Sequence, residues 1–486
     1  MSQPGNKRTK IIATLGPASD RPEILRKMIA AGLNVVRINF SHAKPEALQA
    51  TLARVRQAAD EAGTPLAILG DLRGPRIRVG EMAGGAITLE AGEDIVLTPE
   101  AVVGTPERIG TSFAGLAGDV EPGAALLLDD GNLVLRVRAL RGPDVCAHIE
   151  RGGTLSSNRG INLPGRRVSL PSITDKDEAD IDFAVSEGFD FLALSFVQGA
   201  GDVRLLQEKL AARGADIPII AKIEKKSALD DIEAIAQVAY GVMVARGDLA
   251  LEMSLPEVPI AQKRIIAACR QATSPVITAT QMLESMTHNP KPTRAEATDV
   301  ANAIFDGTDA VMLSGESAVG EYPVETVATM SAIARRAEAA WLGGELPGPP
   351  PLRGSADPES AVAQAAHSLA ENLGARAILT HTTGGTTTRR VACHRPRMPI
   401  LALTPDERVR RRTAIIWGVE AELTETLRGT AHMVEQALAA ARKRCGAQPG
   451  DTVVIVAGTP YRVSGRTNLI KVETVPAEGA ALDEGM

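Results

Sequence analysis

Eight short apolar runs, separated by segments with helical spacing, limit the possible fold of this chain more than any other feature. Eight strands that alternate with helices predict a (β/α)8 barrel, in which active sites lie at the carboxyl ends of the strands. The runs extend over Thr9 to Gly16, Asn34 to Ser41, Leu66 to Leu72, Phe189 to Phe196, Pro218 to Glu224, Gly241 to Asp248, Pro275 to Met282 and Asp309 to Glu316.

Polar and charged residues occupy the ends of these runs. A strand that is covered on both faces should be a nearly continuous apolar segment, and a charge at its end is costly unless it faces a metal or a ligand. An ion pair that orders a loop would explain one such end, but it explains the whole set poorly. We therefore expect one polar barrel mouth. Its residues are Thr14, Arg37, Asn39, Ser41, Asp71, Ser195, Lys222, Glu224, Asp248, Thr280, Gln281, Ser314 and Glu316.

The segment between the third and fourth runs has a different pattern. From about Gly80 to Arg167 it is rich in glycine and in short Val/Leu/Ile alternations, which predicts a small β-barrel domain inserted over the barrel mouth. A domain in that place can close as a lid and exclude water, although a surface insertion without a role would give the same pattern.

A linker of glycine and proline begins at Gly343 and precedes a C-terminal α/β domain. In that domain we predict a helix over Ser360 to Leu373. The predicted organisation is therefore barrel over residues 1–79, lid over 80–167, barrel again over 168–343, and α/β domain over 352–486. The loop Thr382 to Thr387 follows a strand and offers hydroxyls and N–H groups to a phosphate, although such clusters are often plain turns.

Composition narrows the possible partners. The 486 residues are 44% hydrophobic and 23% charged, with a net charge of −6, which argues against a nucleic-acid partner. No apolar run reaches the ~20 residues of a membrane helix and the first residues lack a signal-peptide pattern, so we expect a cytoplasmic protein without a membrane partner. The four cysteines are far apart and indicate neither a zinc site nor disulfides.

A series of motifs in this order resembles the pyruvate kinase family over nearly the whole chain. The resemblance implies transfer of a phosphoryl group from phosphoenolpyruvate to ADP, with pyruvate and ATP as products. It also implies a homotetramer. The motifs are Thr9 to Ser19, Asn34 to His42, Ala221 to Glu224, Val244 to Leu249, Ala279 to Met286, Pro292 to Glu296, Met312 to Glu316 and Val463 to Leu469.

The resemblance also assigns roles at the barrel mouth. It places Arg37 and Lys222 on the transferring phosphoryl group, and Glu224 and Asp248 on Mg²⁺ or Mn²⁺, for which carboxylate oxygens are suitable ligands. Thr280 would relay a proton to the enolate, or it would only bond a neighbouring carbonyl. The substrate carboxylate would meet the backbone of Ala245, Arg246, Gly247 and Asp248, with Ser314 and Glu316 as supports.

Two further ligand sites are predicted: the resemblance implies a nucleotide site, and the hydroxyl- and glycine-rich loop of the C-terminal domain, which has no catalytic residues of its own, indicates an effector site. The nucleotide would contact residues of the barrel mouth and the lid, although Asn158 stands where the family often has a second basic residue. These residues are Thr14, Pro17, His42, Arg78, Asp130 and Arg159. A phosphorylated effector, either a sugar phosphate or a nucleoside monophosphate, would bind Thr382, Thr383, Gly384, Gly385, Thr386, Thr387 and Arg466.

One departure from the family concerns potassium. Potassium-dependent members have Asp-Thr-Lys-Gly-Pro-Glu after the third strand, where this chain has Asp71-Leu-Arg-Gly-Pro-Arg76. The monovalent-cation residues Asn39, Ser41 and Asp71 are retained. Arg76 would place a permanent positive charge near the potassium position, so the chain resembles a potassium-independent variant and Arg76 joins the predicted catalytic residues. Alternatively, Arg76 pairs with a surface carboxylate.

Two other functions share some of these sequence features. A metal-dependent barrel lyase or mutase would also use an acidic pair and an arginine, but it needs neither a lid nor a nucleotide surface. A metabolite sensor without catalysis would be expected to lose Lys222, Glu224, Asp248 or Thr280, and all four are present.

Overall fold

The computed structural model describes residues 7–41, 45–354, 357–460 and 465–477. Its strands in chain order are β1 (Lys10–Thr14), β2 (Val35–Asn39), β3 (Ala67–Asp71), β4 (Ala86–Leu89), β5 (Asp94–Thr98), β6 (Arg108–Gly110), β7 (Ala125–Leu128), β8 (Leu133–Arg141), β9 (Asp144–Arg151), β10 (Gly153–Ser156), β11 (Ile161–Asn162), β12 (Phe191–Leu194), β13 (Ile219–Ile223), β14 (Gly241–Ala245), β15 (Val276–Ala279), β16 (Ala310–Leu313), β17 (Ala377–His381), β18 (Ile400–Thr404), β19 (Val419–Leu423), β20 (Thr452–Ala457) and β21 (Leu469–Thr474).

The α-helices of the described residues alternate with these strands in the barrel and in the C-terminal part. They are α1 (Pro22–Ala31), α2 (Pro45–Ala62), α3 (Leu116–Asp119), α4 (Asp175–Ser186), α5 (Ala200–Ala212), α6 (Lys226–Asp230), α7 (Ile232–Val238), α8 (Arg246–Glu252), α9 (Val258–Gln271), α10 (Arg294–Asp306), α11 (Gly315–Ala318), α12 (Pro323–Leu342), α13 (Pro358–Asn372), α14 (Thr386–Ala392), α15 (Glu407–Arg412) and α16 (Thr430–Cys445).

The eight predicted runs form a closed parallel barrel, in the order β1-β16-β15-β14-β13-β12-β3-β2. Alternation along each strand determines which side chains enter the barrel. In β13, Ile219, Ala221 and Ile223 pack with the surrounding helices, so Ile220 and Lys222 lie on the interior face. The same alternation in β2 directs Arg37 into the barrel near its carboxyl end.

The segment between β3 and α4 is a β structure, as predicted. Its six-stranded sheet has the order β11-β7-β8-β9-β5-β6, and β10 pairs with β4 in a two-stranded sheet. Both sheets enclose a separate hydrophobic core that includes Leu97, Leu126 and Leu135. The short helix α3 interrupts this β segment.

The C-terminal part is an α/β unit, as predicted, with a five-stranded sheet in the order β19-β18-β17-β20-β21. β21 is antiparallel to β20, and the other pairs are parallel. Helix α13 begins two residues before the predicted start at Ser360, because Asp357 accepts a hydrogen bond from the Ser360 N–H and so caps the helix. No described helix is long and apolar enough to cross a membrane.

Buried ion pairs join this α/β unit to the amino-terminal ends of the barrel strands. Asp309, just before β16, accepts a hydrogen bond from Arg395 at 3.0 Å, and both side chains are at most 6% exposed. Asp190, just before β12, accepts from Arg411 at 2.8 Å. The pairs lie at the opposite end of the barrel from Lys222 and Glu224, so they attach the α/β unit without entering the mouth.

We expect Asp309→Ala to destabilise the protein by ~3–5 kcal/mol, because the buried Arg395 would lose its carboxylate. The Trp417 N–H, which also donates to Asp309, would lose its acceptor. Thermal unfolding followed by circular dichroism should show a midpoint lower by several degrees. Asp216→Ala is the control, since Asp216 pairs with Arg412 across the same contact but is fully exposed. Equal midpoints for the two variants would contradict the buried-pair argument.

Candidate active site

A cavity of about 520 Å³ opens at the carboxyl ends of the barrel strands and brings most of the predicted polar residues together. Its lining comes from β2, β3, β12, β13, α8 and the lid. The residues are Arg37, Asn39, Ser41, Asp71, Leu72, Arg73, Arg76, Arg78, Asn158, Ser195, Phe196, Lys222, Glu224 and Asp248.

The Lys222 ammonium lies at the centre of a set of three acceptors. Its Nζ is 2.7 Å from the Ser195 hydroxyl, 2.8 Å from Glu224 Oε1 and 3.3 Å from Asp71 Oδ1. Burial favours the neutral amine, but the carboxylates of Asp71 and Glu224 outweigh it and raise the pKa of Lys222 above its ordinary value. The side chain therefore carries a permanent positive charge, only 12% exposed.

Asp71 balances two cations at once. Its Oδ2 accepts from Arg37 Nε at 2.7 Å and lies 2.6 Å from Arg37 Nη2, while Oδ1 faces Lys222. Burial alone would raise the pKa of Asp71, but Lys222 and Arg37 hold it below its ordinary value. Arg37 Nη1 also donates to the Thr14 hydroxyl at 2.9 Å. Arg37 and Lys222 are thus held side by side by one carboxylate.

Glu224 and Asp248 form a pair of like charges at the mouth. Burial raises the pKa of Glu224 above its ordinary value, and the neighbouring Asp248 carboxylate adds to this shift, while Lys222 opposes it. A cation between the two carboxylates would relieve this repulsion. Two carboxylates suit Mg²⁺, which commonly keeps several waters and binds substrate oxygens as well. The described lining of the cavity contains no cysteine or histidine that would favour zinc.

Asp248 reaches the mouth differently from the prediction. The sequence pattern placed it at the end of a strand, but β14 ends at Ala245 and Asp248 lies in the first turn of α8. The predicted strand was too long because Arg246, Gly247 and Asp248 continue directly into a helix. The parallel run of β15 ends at Ala279, so Thr280 lies in the turn that follows.

Thr280 and Gly247 contact one another in this region. The Gly247 N–H donates to the Thr280 hydroxyl at 2.9 Å, and that hydroxyl donates to the Ala279 carbonyl at 2.6 Å. This hydrogen bond to the Ala279 carbonyl is the local contact that competes with a role of Thr280 in relaying a proton. The Arg246 side chain turns away from the cavity and donates to the carbonyls of Ala279 and Thr280.

The residues that were predicted to bind the nucleotide or a monovalent cation make their contacts in several different places. Arg78 lines the cavity, whereas Asp130 pairs with Arg76 at 2.6 Å and Arg159 pairs with Asp129 at 3.3 Å. Asn39 lies beside Ser41, whose N–H donates to the Asn39 side chain. Pro17 lies in a turn outside the cavity lining, and His42 lies outside the described residues.

Models of two protein domains match the chain. The model described as pyruvate kinase, barrel domain, matches residues 6–327, and the one described as pyruvate kinase, alpha/beta domain, matches residues 360–473. The chain belongs to the pyruvate kinase family.

Individual relatives agree with this assignment. The chain is 45% identical to a pyruvate kinase of Geobacillus stearothermophilus over 96% of its own length and 80% of that protein. It is 42% identical to a pyruvate kinase of Mycobacterium tuberculosis, over 96% and 98% of the two chains. A crystal structure of a Cryptosporidium parvum pyruvate kinase superposes with a TM-score of 0.89 at 35% identity, covering 97% and 96%. The chain is accordingly a phosphotransferase.

Two further residues contact residues that the sequence predicted for the site. Ser195 was placed at a strand end by the sequence but without a role, and it donates to the Leu72 carbonyl at 2.8 Å while it accepts from Lys222. Asp299 lies in α10 and pairs with Arg246 at 2.7 Å. Its only sequence signal was its position three residues after the Pro292 to Glu296 motif.

Ser314 and Glu316, which were predicted to support the site, take part in hydrogen bonds that hold the backbone near the mouth. Glu316 is fully buried and accepts from the Ser314 N–H at 2.7 Å and from the Leu283 N–H at 3.1 Å. These bonds connect the segments that follow β15 and β16.

The predicted effector residues lie together in the α/β unit, and they are distant in sequence from the residues of the barrel mouth. Thr382, Thr383, Gly384, Thr386, Thr387 and Arg466 line one cavity. The Gly385 N–H donates to the Thr382 hydroxyl at 2.8 Å, and the hydroxyls of Thr387 and Thr467 are 2.9 Å apart. Part of the closing motif, residues 463 and 464, lies outside the described residues.

Proposed function

We propose that this chain transfers the phosphoryl group of phosphoenolpyruvate to ADP and so forms pyruvate and ATP. Membership in the pyruvate kinase family supports the reaction. The observation that carries the assignment of residues is the cation pair of Arg37 and Lys222, held by Asp71 beside the acidic pair of Glu224 and Asp248. Phosphoryl transfer needs positive charge around the transferring oxygens and little covalent chemistry.

In the first step the bond between phosphorus and the enol oxygen breaks, and a bond to a terminal oxygen of ADP forms. Lys222 already has its three acceptors in place, and it can donate one N–H to the transferring group while Ser195 and Asp71 keep its position. Arg37 supplies a second charge next to it. A divalent cation held by Glu224 and Asp248 would supply further charge neutralisation for the phosphoryl and enolate oxygens.

The second step adds a proton to the methylene carbon of the enolate. A threonine hydroxyl is not an acid at neutral pH, so Thr280 would relay a proton rather than supply it. The substrate carboxylate would bind the backbone of Ala245 to Asp248. Because the Gly247 N–H donates to the Thr280 hydroxyl, binding of the carboxylate there would free the oxygen of this hydroxyl to accept a proton, while its own proton still faces the Ala279 carbonyl.

Lys222→Met tests the main assignment. We expect turnover to fall by at least about two to three orders of magnitude, equivalent to ~3–4 kcal/mol, because a charge acting in the transition state is lost. ATP formation is measured in a coupled assay on protein shown by circular dichroism to be folded. Near-normal turnover of the folded variant would refute the role of Lys222. A wild-type protein that consumes phosphoenolpyruvate without forming ATP would instead favour the lyase or mutase alternative.

We also propose that activity does not require K⁺. The Asp71 carboxylate is already paired with Arg37 and Lys222, and Arg76 lines the same cavity. The Leu72 side chain is completely buried and offers no oxygen to an ion. Arg76 also pairs with Asp130, which is 64% exposed, so the alternative of a surface ion pair coexists with its place at the mouth.

Turnover should be nearly equal in sodium, potassium and tetraalkylammonium salts of matched ionic strength. Arg76→Glu should lose activity without K⁺ and recover part of it when K⁺ is added, because the new carboxylate reverses the charge at that position. Steady-state rates at saturating substrates measure both effects. A wild-type protein that is inactive until K⁺ is supplied would refute this argument.

The cavity around Thr382 to Thr387 and Arg466 is proposed to bind a phosphorylated effector. Hydroxyls, backbone N–H groups of a glycine-containing loop and one arginine are suitable ligands for a phosphate. Four further points remain predictions. They are the control of activity from this cavity, the use of Mg²⁺ or Mn²⁺ as the divalent cation, the residues that bind the nucleotide, and a homotetrameric assembly.

Saturation with the correct effector should shift the phosphoenolpyruvate half-saturation concentration several-fold, since coupling energies are typically ~1–3 kcal/mol. The probes are a panel of sugar phosphates and nucleoside monophosphates added to the full-length protein. Arg466→Ala should abolish the shift and leave the basal curve unchanged. If no member of the panel moves the curve of the wild-type protein, the proposal fails.

A further inference from the structure

The turn that carries Thr280 has an unfavourable backbone conformation. Thr280 and Gln281 have φ angles of +69° and +53°, so two consecutive residues with side chains adopt the left-handed region that favours glycine. Such a conformation persists only where the surrounding contacts impose it. The contacts around this turn therefore decide where the Thr280 hydroxyl lies.

One arginine supplies much of that restraint. Arg246 Nε donates to the Ala279 carbonyl at 3.1 Å, and Nη2 donates to the Thr280 carbonyl at 2.6 Å. Nη2 also lies 2.7 Å from the Met282 sulfur. The planar guanidinium thus bonds both sides of the strained turn at once, a geometry that a lysine ammonium could not reproduce.

Asp299 in α10 orients this arginine from the other side. Its carboxylate accepts from Arg246 Nη1 at 2.7 Å, and Gln262 accepts more weakly from the same nitrogen at 3.4 Å. The Arg246 side chain is 14% exposed, and the Asp299 side chain is 36% exposed. Neither Arg246 nor Asp299 lines the cavity that contains Lys222 and Glu224.

We infer that Asp299 and Arg246 are positioning residues that hold the Thr280 turn for proton delivery to the enolate carbon. The inference rests on the proposed function. Arg246 and Gly247 are consecutive, and both are bonded to this turn, one through its side chain and the other through its N–H. Loosening the pair would therefore move the Thr280 hydroxyl relative to α8, while Arg37, Asp71, Lys222 and Ser195 keep their mutual contacts.

The test separates the two halves of the reaction in the full-length protein. Asp299→Asn keeps the shape of the side chain and removes its charge, and Arg246→Lys keeps the charge and removes the fork.

Exchange of the pyruvate methyl protons with D₂O, in the presence of Mg²⁺ and ATP, reports the proton step. ATP formation in a single turnover, measured by rapid quench, reports phosphoryl transfer. Mn²⁺ binding, measured by electron paramagnetic resonance, checks that Asp248 is undisturbed.

We expect methyl-proton exchange to fall by at least about tenfold in both variants, because misplacement of a catalytic group by about 1 Å can cost ~100-fold. In Asp299→Asn, single-turnover ATP formation and Mn²⁺ affinity should change by less than about threefold. Glu61→Gln, which breaks the exposed Arg26–Glu61 pair between α1 and α2, should behave as the wild type in every assay. Equal losses in both half-reactions, or no loss in either, would overturn the inference.

A further variant distinguishes this failure from failure of the proposed function. If the wild type forms no ATP from phosphoenolpyruvate and ADP, the proposed function is wrong. If Thr280→Val retains normal exchange, Thr280 has no part in proton delivery, and the inference falls with it. If Thr280→Val loses exchange selectively but folded Asp299→Asn does not, only the positioning role is refuted.

Discussion

The ion pairs of Asp71 with Arg37 and Lys222 are the constraint on which the barrel mouth depends. Two cations inside one barrel repel one another, and burial increases the cost of both charges. The carboxylate of Asp71 contacts two nitrogens of Arg37 through one oxygen and Lys222 through the other, and so compensates for both. The positions of both cations are therefore fixed by contacts within the protein.

Ser195 and Glu224 extend this arrangement to the acidic half of the site. Ser195 links the Lys222 ammonium to the Leu72 carbonyl, and Glu224 accepts from the Phe196 N–H at 2.6 Å as well as from Lys222. Phe196 has a positive φ of +55°, so its backbone is bent at this contact. The basic and acidic groups are consequently positioned by the same few backbone segments after β3 and β12.

The alternation of apolar runs was sufficient to predict the barrel, the lid and the α/β unit, because periodicity and strand order follow from burial. It also brought Arg37, Lys222, Glu224 and Asp248 to one mouth. What the sequence could not show was the direction of individual side chains. The fork from Arg246 to the Thr280 turn depends on φ angles that no residue type requires, and Asp299 reaches it from a helix whose rotation is set by packing. Likewise, nothing in the spacing indicated that Arg76 pairs with Asp130.

The pair of Arg76 and Asp130 joins a loop after β3 to the turn between β7 and β8 in the lid. Both side chains are substantially exposed, so their attraction is screened by dissolved ions over a Debye length of about 8 Å at physiological ionic strength. The preferred angle between lid and barrel should then respond to ionic strength itself, whichever cation is present. A phosphate that enters the mouth would compete with Asp130 for the same guanidinium. Arrival of an anionic ligand would thereby loosen this contact between the lid and the loop.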